Sequence, residues 1–170
     1  MRKNLSSFPF WIASLVFMVW IIIVLSLAFQ SFEEQDLRPA IKQRVSEETL
    51  QRFLPKWEFS YAGSWQTYRE PYRMAHFFLR KGAHLFVYSF LAFFLVYQQL
   101  LAGAGAVNAF SKTLLIVFLV AATDEGIQYL NDGRTGLLED VVLDIFASVF
   151  ALLWLAWRAR VGLDFHRDII

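Results

Sequence analysis

The stretch FPFWIASLVFMVWIIIVLSLAF, residues 8–29, carries no charged side chain. Wound as a helix it rises about 33 Å, enough to cross a typical hydrocarbon core. Arg2 and Lys3 precede it, as they would precede a cleaved signal segment, but the apolar run is longer than a usual signal core. A retained anchor is therefore expected. The chain then turns abruptly polar, with Gln30 followed by Glu33, Glu34 and Asp36. Basic residues before the span and acids after it favour cytoplasmic termini and an outward-facing connector.

Composition extends that reading to the whole chain. Of 170 residues, 57% are hydrophobic and only 18% charged, which is not the balance of a soluble domain. Three further apolar segments lie at 82–101, 112–130 and 138–157. The expected fold is all-α: a four-transmembrane-helix bundle forming one membrane domain over 1–170, with a polar connector at 30–81 between the first two spans. The 18 phenylalanines and 6 tryptophans suit lipid-facing and interfacial positions. With no cysteine, disulfides and thiol chemistry are excluded. A net charge of +1 without an uninterrupted basic run gives no footprint for nucleic acid.

In the connector, Leu37, Ile41 and Val45 recur at helical spacing and Leu50, Phe53 and Leu54 follow. Pro39 can open one helix that Pro55 closes; alternatively Ser46, with Glu47 and Glu48 behind it, starts a second short helix. Either version is amphipathic and lies on the membrane surface over the end of the bundle. Trp57 to Tyr68, interrupted by Gly63, reads as an interfacial loop or a pair of short extended segments. Pro71 can begin a helix that runs through Phe77 and Phe78 into the second span, and the Ala- and Gly-rich stretch 102–109 reads as a tight connection.

Polar residues inside apolar spans cost at least a few kcal/mol unless they are paired, near an end or facing water. In an antiparallel bundle the start of the second span, the end of the third and the start of the fourth share one face. That face collects Lys81, His84 and Tyr88; Asp124, Glu125 and Gln128; and Asp140 and Asp144. Spacings of three and four put the members of each group on one side of their helix. Asn131, Asp132 and Gly133 form a turn that presents Arg134. Asp124 and Glu125 sit near a helix C-terminus, where acids are disfavoured, so Arg80, Lys81, His84 and Arg134 are the expected compensating cations. Each residue also has a plainer role: His84 as a hydrogen-bonded core residue, Tyr88 as an interfacial aromatic, Gln128 as interhelical glue, Asp124 or Glu125 as half of a structural ion pair, Asp140 as a helix cap or dipole partner. Arg160 and Asp164 read as solvated tail.

At these positions the chain resembles the VanZ family, named for a membrane protein associated with teicoplanin resistance. The carriers are Arg80-Lys81-Gly82-Ala83-His84 with Tyr88, Thr123-Asp124-Glu125 with Gln128, and Gly133-Arg134-Thr135 followed by Glu139-Asp140 and Asp144. Gln35-Asp36-Leu37-Arg38-Pro39 and Tyr61-Ala62-Gly63-Ser64 add to the likeness. Ile127 stands where many members carry His or another polar residue, and Asp144 where Asn is frequent. The resemblance implies lowered susceptibility to glycopeptide and lipoglycopeptide antibiotics, without supplying a reaction.

The leading expectation is an envelope protein acting on a lipid-linked precursor at an outward-facing polar site. His84 serves as general acid or base, and Asp124 and Glu125 orient it or share its proton. Lys81 and Arg134 bind phosphate or carboxylate, and Tyr88, Gln128, Asp140 and Asp144 complete the binding set. A second reading is a non-catalytic protein that captures antibiotic or lipid between connector and bundle; a third has the charges only specifying helix pairing. One histidine among scattered acids, without a glycine-rich phosphate cradle, nucleophile elbow or HExxH, names no metal and no cofactor. The expected partners are membrane lipids and either a lipid-linked envelope precursor or a lipoglycopeptide.

Overall fold

The computed structural model describes residues 7–131 and 136–167. The order is α1 (Ser7–Ala28), α2 (Phe32–Gln35), α3 (Arg38–Arg44), α4 (Glu47–Phe53), β1 (Glu58–Tyr61), β2 (Ser64–Thr67), α5 (Pro71–Leu101), α6 (Ala106–Leu130) and α7 (Leu138–Arg167). Four of these helices, α1, α5, α6 and α7, are long and apolar enough to cross a membrane. Their outer faces expose large apolar side chains such as Phe8, Trp11, Leu15, Phe86, Phe118, Phe146 and Trp154, as lipid contact demands. The chain is thus an all-α, multi-pass membrane protein with one small hairpin.

The helices outrun the apolar segments read from the sequence. Pro71 opens α5 well before residue 82, and α6 begins at Ala106 rather than 112, because the alanines after Gly105 continue the helix instead of joining the turn. α7 remains helical to Arg167, so the backbone at Arg160 and Asp164 belongs to the helix; their side chains lie outside the described residues.

α5 is the centre of the bundle, packed against α1, α6 and α7 and, through its first turns, against α3, α4 and β2. Its buried stripe of Tyr88, Leu91 and Ala92 meets Val24 of α1, Val117 and Ala121 of α6 and Val141 of α7. A second cluster, Val96, Ala109 and Leu152, closes the opposite end. Small residues let the backbones approach: Ser89 Oγ donates to the Ala147 carbonyl at 3.2 Å, and Ser148 Oγ lies 3.2 Å from the Tyr88 carbonyl. Trp20 Nε1 donates to the Val87 carbonyl at 3.1 Å, and Asn131 Nδ2 to the Ala28 carbonyl at 2.8 Å, which ties the ends of α1 and α6 together.

The connector follows the two-helix alternative. Pro39 stands in the first turn of α3, Val45 breaks it with extended backbone, and the Ser46 hydroxyl accepts the Thr49 amide to start α4. Ile41, Val45, Leu50 and Leu54 are half-buried against α5, and neither short helix has a fully buried residue. The aromatic segment is a true hairpin, Glu58 opposite Thr67 and Tyr61 opposite Ser64. Ala62 and Gly63 turn it with φ of 48° and 76°, the left-handed pair that a two-residue hairpin turn requires. α2 carries a reciprocal capping box between Ser31 and Glu34.

Candidate functional site

The polar side chains of three spans meet at the connector end of the bundle. From α5, Lys81 and His84 reach α7: Lys81 Nζ forms an ion pair with Asp140 Oδ1, and His84 Nδ1 lies 3.1 Å from Asp144 Oδ1. Tyr88, one turn further, donates its hydroxyl to Asp124 Oδ2 of α6 at 2.9 Å, and its ring stacks on His84 with an interplanar angle of 12°. Gln128 Nε2 donates to Asp124 Oδ1 at 2.9 Å. Glu125 Oε2 accepts the backbone amide of Leu137 at 2.7 Å.

Several partners differ from those expected. Among the described residues the hydrogen bonds to the Asp124 and Glu125 carboxylates come from neutral donors, Tyr88, Gln128 and the Leu137 amide. The Leu137 amide that meets Glu125 stands at the start of α7, whose positive end favours an acid there. Lys81 and His84 go instead to α7, whose acids lie on the face that packs against α5. Asp140 stands in the first turn of α7, where the helix dipole favours an acid, but its Oδ1 takes Lys81 and the Tyr61 hydroxyl, at 2.7 Å, rather than a backbone amide of its own helix. Gln128 bonds along its own helix rather than across to another, and Tyr88 is 1% exposed, a core residue rather than an interfacial one. Arg134, with the Asp132–Gly133 turn, lies outside the described residues.

Tyr61 was not singled out for the site, yet it arrives from β1 and spreads its ring 4.5 Å from Lys81 Nζ, with Phe77 at 5.6 Å on the same ammonium. Burial and the bond to the Asp140 carboxylate raise the Tyr61 hydroxyl well above the usual phenol range, so it stays a donor. Nearby, the Arg38 guanidinium holds the Asp36 carboxyl down at about 2, which fixes the start of α3. Gly136 was also missed. A Cβ there would stand 2.1 Å from the Glu125 carbonyl oxygen, so only glycine lets the chain return this close to α6.

Two cavities adjoin the cluster. One, of about 340 Å³, opens between α1, α5 and α6; Val24, Leu27 and Val87 make it apolar, and His84, Tyr88, Asp124 and Gln128 close its polar end. The other, of about 330 Å³, lies under the hairpin and is lined by Arg38, Arg73, Arg80 and Lys81 with His76 and Gln66. Arg80 lines both, and among the described residues it makes no ion pair or side-chain hydrogen bond. The charged cluster is deeply enclosed: Asp124, Glu125, Asp140 and Asp144 are at most 5% exposed. Glu125 Oε1, Gln128 Oε1 and Asp140 Oδ2 are buried without a partner among the described residues. Donor atoms of His84, Glu125 and Asp140 lie within 4.8 Å of one another.

The VanZ/LLP1 family model matches residues 10–159, which includes every one of these side chains. No curated protein and no solved structure matches the chain.

Proposed function

Because the chain belongs to the VanZ/LLP1 family, we propose that it binds an anionic, lipid-linked cell-envelope precursor at this polar site, acts on it, and thereby lowers susceptibility to teicoplanin-type antibiotics. The observation that carries the reading is the position of Arg80, at the common wall of an apolar cavity and a basic one. An amphiphile needs both: lipid-facing walls for its chain and a guanidinium for its phosphate. Of the two cations expected to bind the anion, Lys81 is engaged by Asp140 and Arg134 lies outside the described residues, whereas Arg80 has no ion pair or side-chain hydrogen bond among the described residues.

In this scheme His84 moves the proton. Asp144, rather than Asp124 or Glu125, holds its Nδ1 and so selects the tautomer, which leaves Nε2 as the second ring nitrogen for chemistry on a bound ligand. Asp124, held by Tyr88 and Gln128, shapes the polar wall of the cavity that His84 faces. The site opens outward and the termini are cytoplasmic, as the charge flanking α1 favours.

Teicoplanin susceptibility of a host expressing wild type, His84→Ala or Arg80→Ala, at matched membrane abundance, tests the reading. Wild type is expected to raise tolerance and both variants to lose that gain; equal protection by all three overturns it. The capture reading draws on a different feature, the groove of about 490 Å³ between α3, α4 and α5, lined by Ile41, Val45, Leu50, Leu54 and Phe78. Under it, protection survives His84→Ala and falls when the exposed Trp57 or Trp65 is replaced by alanine.

A further inference from the structure

Four carboxylates, Asp124, Glu125, Asp140 and Asp144, are buried within one end of the bundle, between 0% and 5% exposed. Among the described residues the cationic side chains bonded to them are Lys81 and His84 alone. Removing a charge from water costs several kcal/mol per ion, so the excess of negative charge among the described residues makes this a favourable place for a further positive partner. The free atoms are specific. Glu125 spends Oε2 on the Leu137 amide and Asp140 spends Oδ1 on Lys81 and Tyr61, while Glu125 Oε1 and Asp140 Oδ2 are buried and bonded to nothing described. His84 gives Nδ1 to Asp144, which leaves Nε2.

We propose that His84, Glu125 and Asp140, whose donor atoms lie within 4.8 Å of one another, bind one divalent cation between α5, α6 and α7. Donors around a tetrahedral ion with bonds of about 2.1 Å stand about 3.4 Å apart, so the three side chains close the set by drawing together by at most about 1.4 Å. One imidazole and two carboxylates suit a borderline-to-hard ion such as Zn²⁺ or Mn²⁺ better than a soft one. Asp144 is the positioning residue: a carboxylate on the far nitrogen orients a ligating histidine and raises its basicity. Three protein ligands leave coordination positions open, which is the pattern of a site that meets a ligand rather than one that only staples a fold. His84 also lines the apolar cavity, so the ion stands beside the space assigned above to the precursor. Ion binding does not depend on that assignment, but it replaces the acid–base role given to His84 above, because Nε2 on the ion has no lone pair left to take a proton.

The test uses the full chain in detergent micelles, stripped with a chelator and titrated with Mn²⁺ or Zn²⁺ alone. Calorimetry is expected to give one saturable ion per chain, and pulsed electron paramagnetic resonance of the Mn²⁺ form to show coupling to a single imidazole nitrogen. Glu125→Gln, with unchanged helical circular dichroism, should weaken binding at least about tenfold, Asp144→Asn by about 10–100-fold, and His84→Gln should abolish the nitrogen coupling. The proposal is overturned if wild type binds neither ion below about 1 mM, if Glu125→Gln binds as tightly as wild type, or if bound Mn²⁺ shows no nitrogen coupling. The wild-type stoichiometry and coupling decide the matter even where a variant does not fold. Ion binding together with full antibiotic protection by His84→Ala would remove the proposed function and leave the cation site standing.

Discussion

Lys81 is enclosed by an acid and two rings: Asp140 takes its ammonium, and Tyr61 and Phe77 lie 4.5 Å and 5.6 Å from it. Removing one partner of such a buried pair leaves the other charge uncompensated, a loss of about 3–5 kcal/mol. Tyr61→Phe removes only a hydrogen bond to a charged acceptor, about 1.5–3 kcal/mol. Thermal unfolding in one detergent should therefore rank wild type above Tyr61→Phe and Tyr61→Phe above Lys81→Met; equal midpoints for Lys81→Met and wild type would show that the pair contributes nothing. At Gly136 the obstacle is backbone: a Cβ meets the Glu125 carbonyl at 2.1 Å and the Tyr129 Cβ at 2.8 Å. Gly136→Ala should push the return strand off α6, release Glu125 Oε2 from the Leu137 amide and cost about 1–3 kcal/mol, read as a lowered unfolding midpoint. Neither the Tyr61 contact nor the Gly136 constraint could be read from residue types, because each depends on chain segments far apart in sequence meeting at one point.

Among the elements, the hairpin carries local strain. Ala62 occupies φ 48°, a conformation that costs a residue with a Cβ roughly 1–2 kcal/mol and that Asn tolerates better. Ala62→Asn should stabilise β1 and β2 by a fraction of that, visible as slower amide exchange in the hairpin; faster exchange would mean that the Ala62 methyl makes a contact worth more than its strain. Gly63 marked this turn in the sequence, but Ala62 hid it, which is why a loop and paired strands stayed open as alternatives. The short helices are legible through their caps. Ser46 signals a start and is one, whereas Ser31 with Glu34, an equally plain capping box, is masked by the apolar span that ends just before it. Along α5, α6 and α7, periodicity assigned polar residues to common faces but not to partners, since spacing fixes a direction around one helix and not the neighbour it meets. Hence the cluster was legible and the bonding of Lys81 and His84 to α7, rather than to α6, was not.

For the molecule as a whole, the absence of cysteine makes every introduced thiol unique. A membrane-impermeant maleimide on intact cells should label Gln51→Cys in α4 and spare Ala104→Cys between α5 and α6; the reverse pattern would turn the site to the cytoplasmic side. The bonds that compensate the buried acids also have a history in time. Lys81 and Asp140 are 59 residues apart, and His84 and Asp144 are 60. At about 5–20 residues per second of synthesis, α5 leaves the ribosome roughly 3–12 s before its partners on α7 exist. Through that interval an ammonium and an imidazole wait at the membrane without their acids, and α7 then arrives with two carboxylates that disfavour its own insertion. Biogenesis of this protein is consequently a problem of waiting: whatever shelters α5, whether headgroups, water or an insertase, sets how many chains reach the bundle.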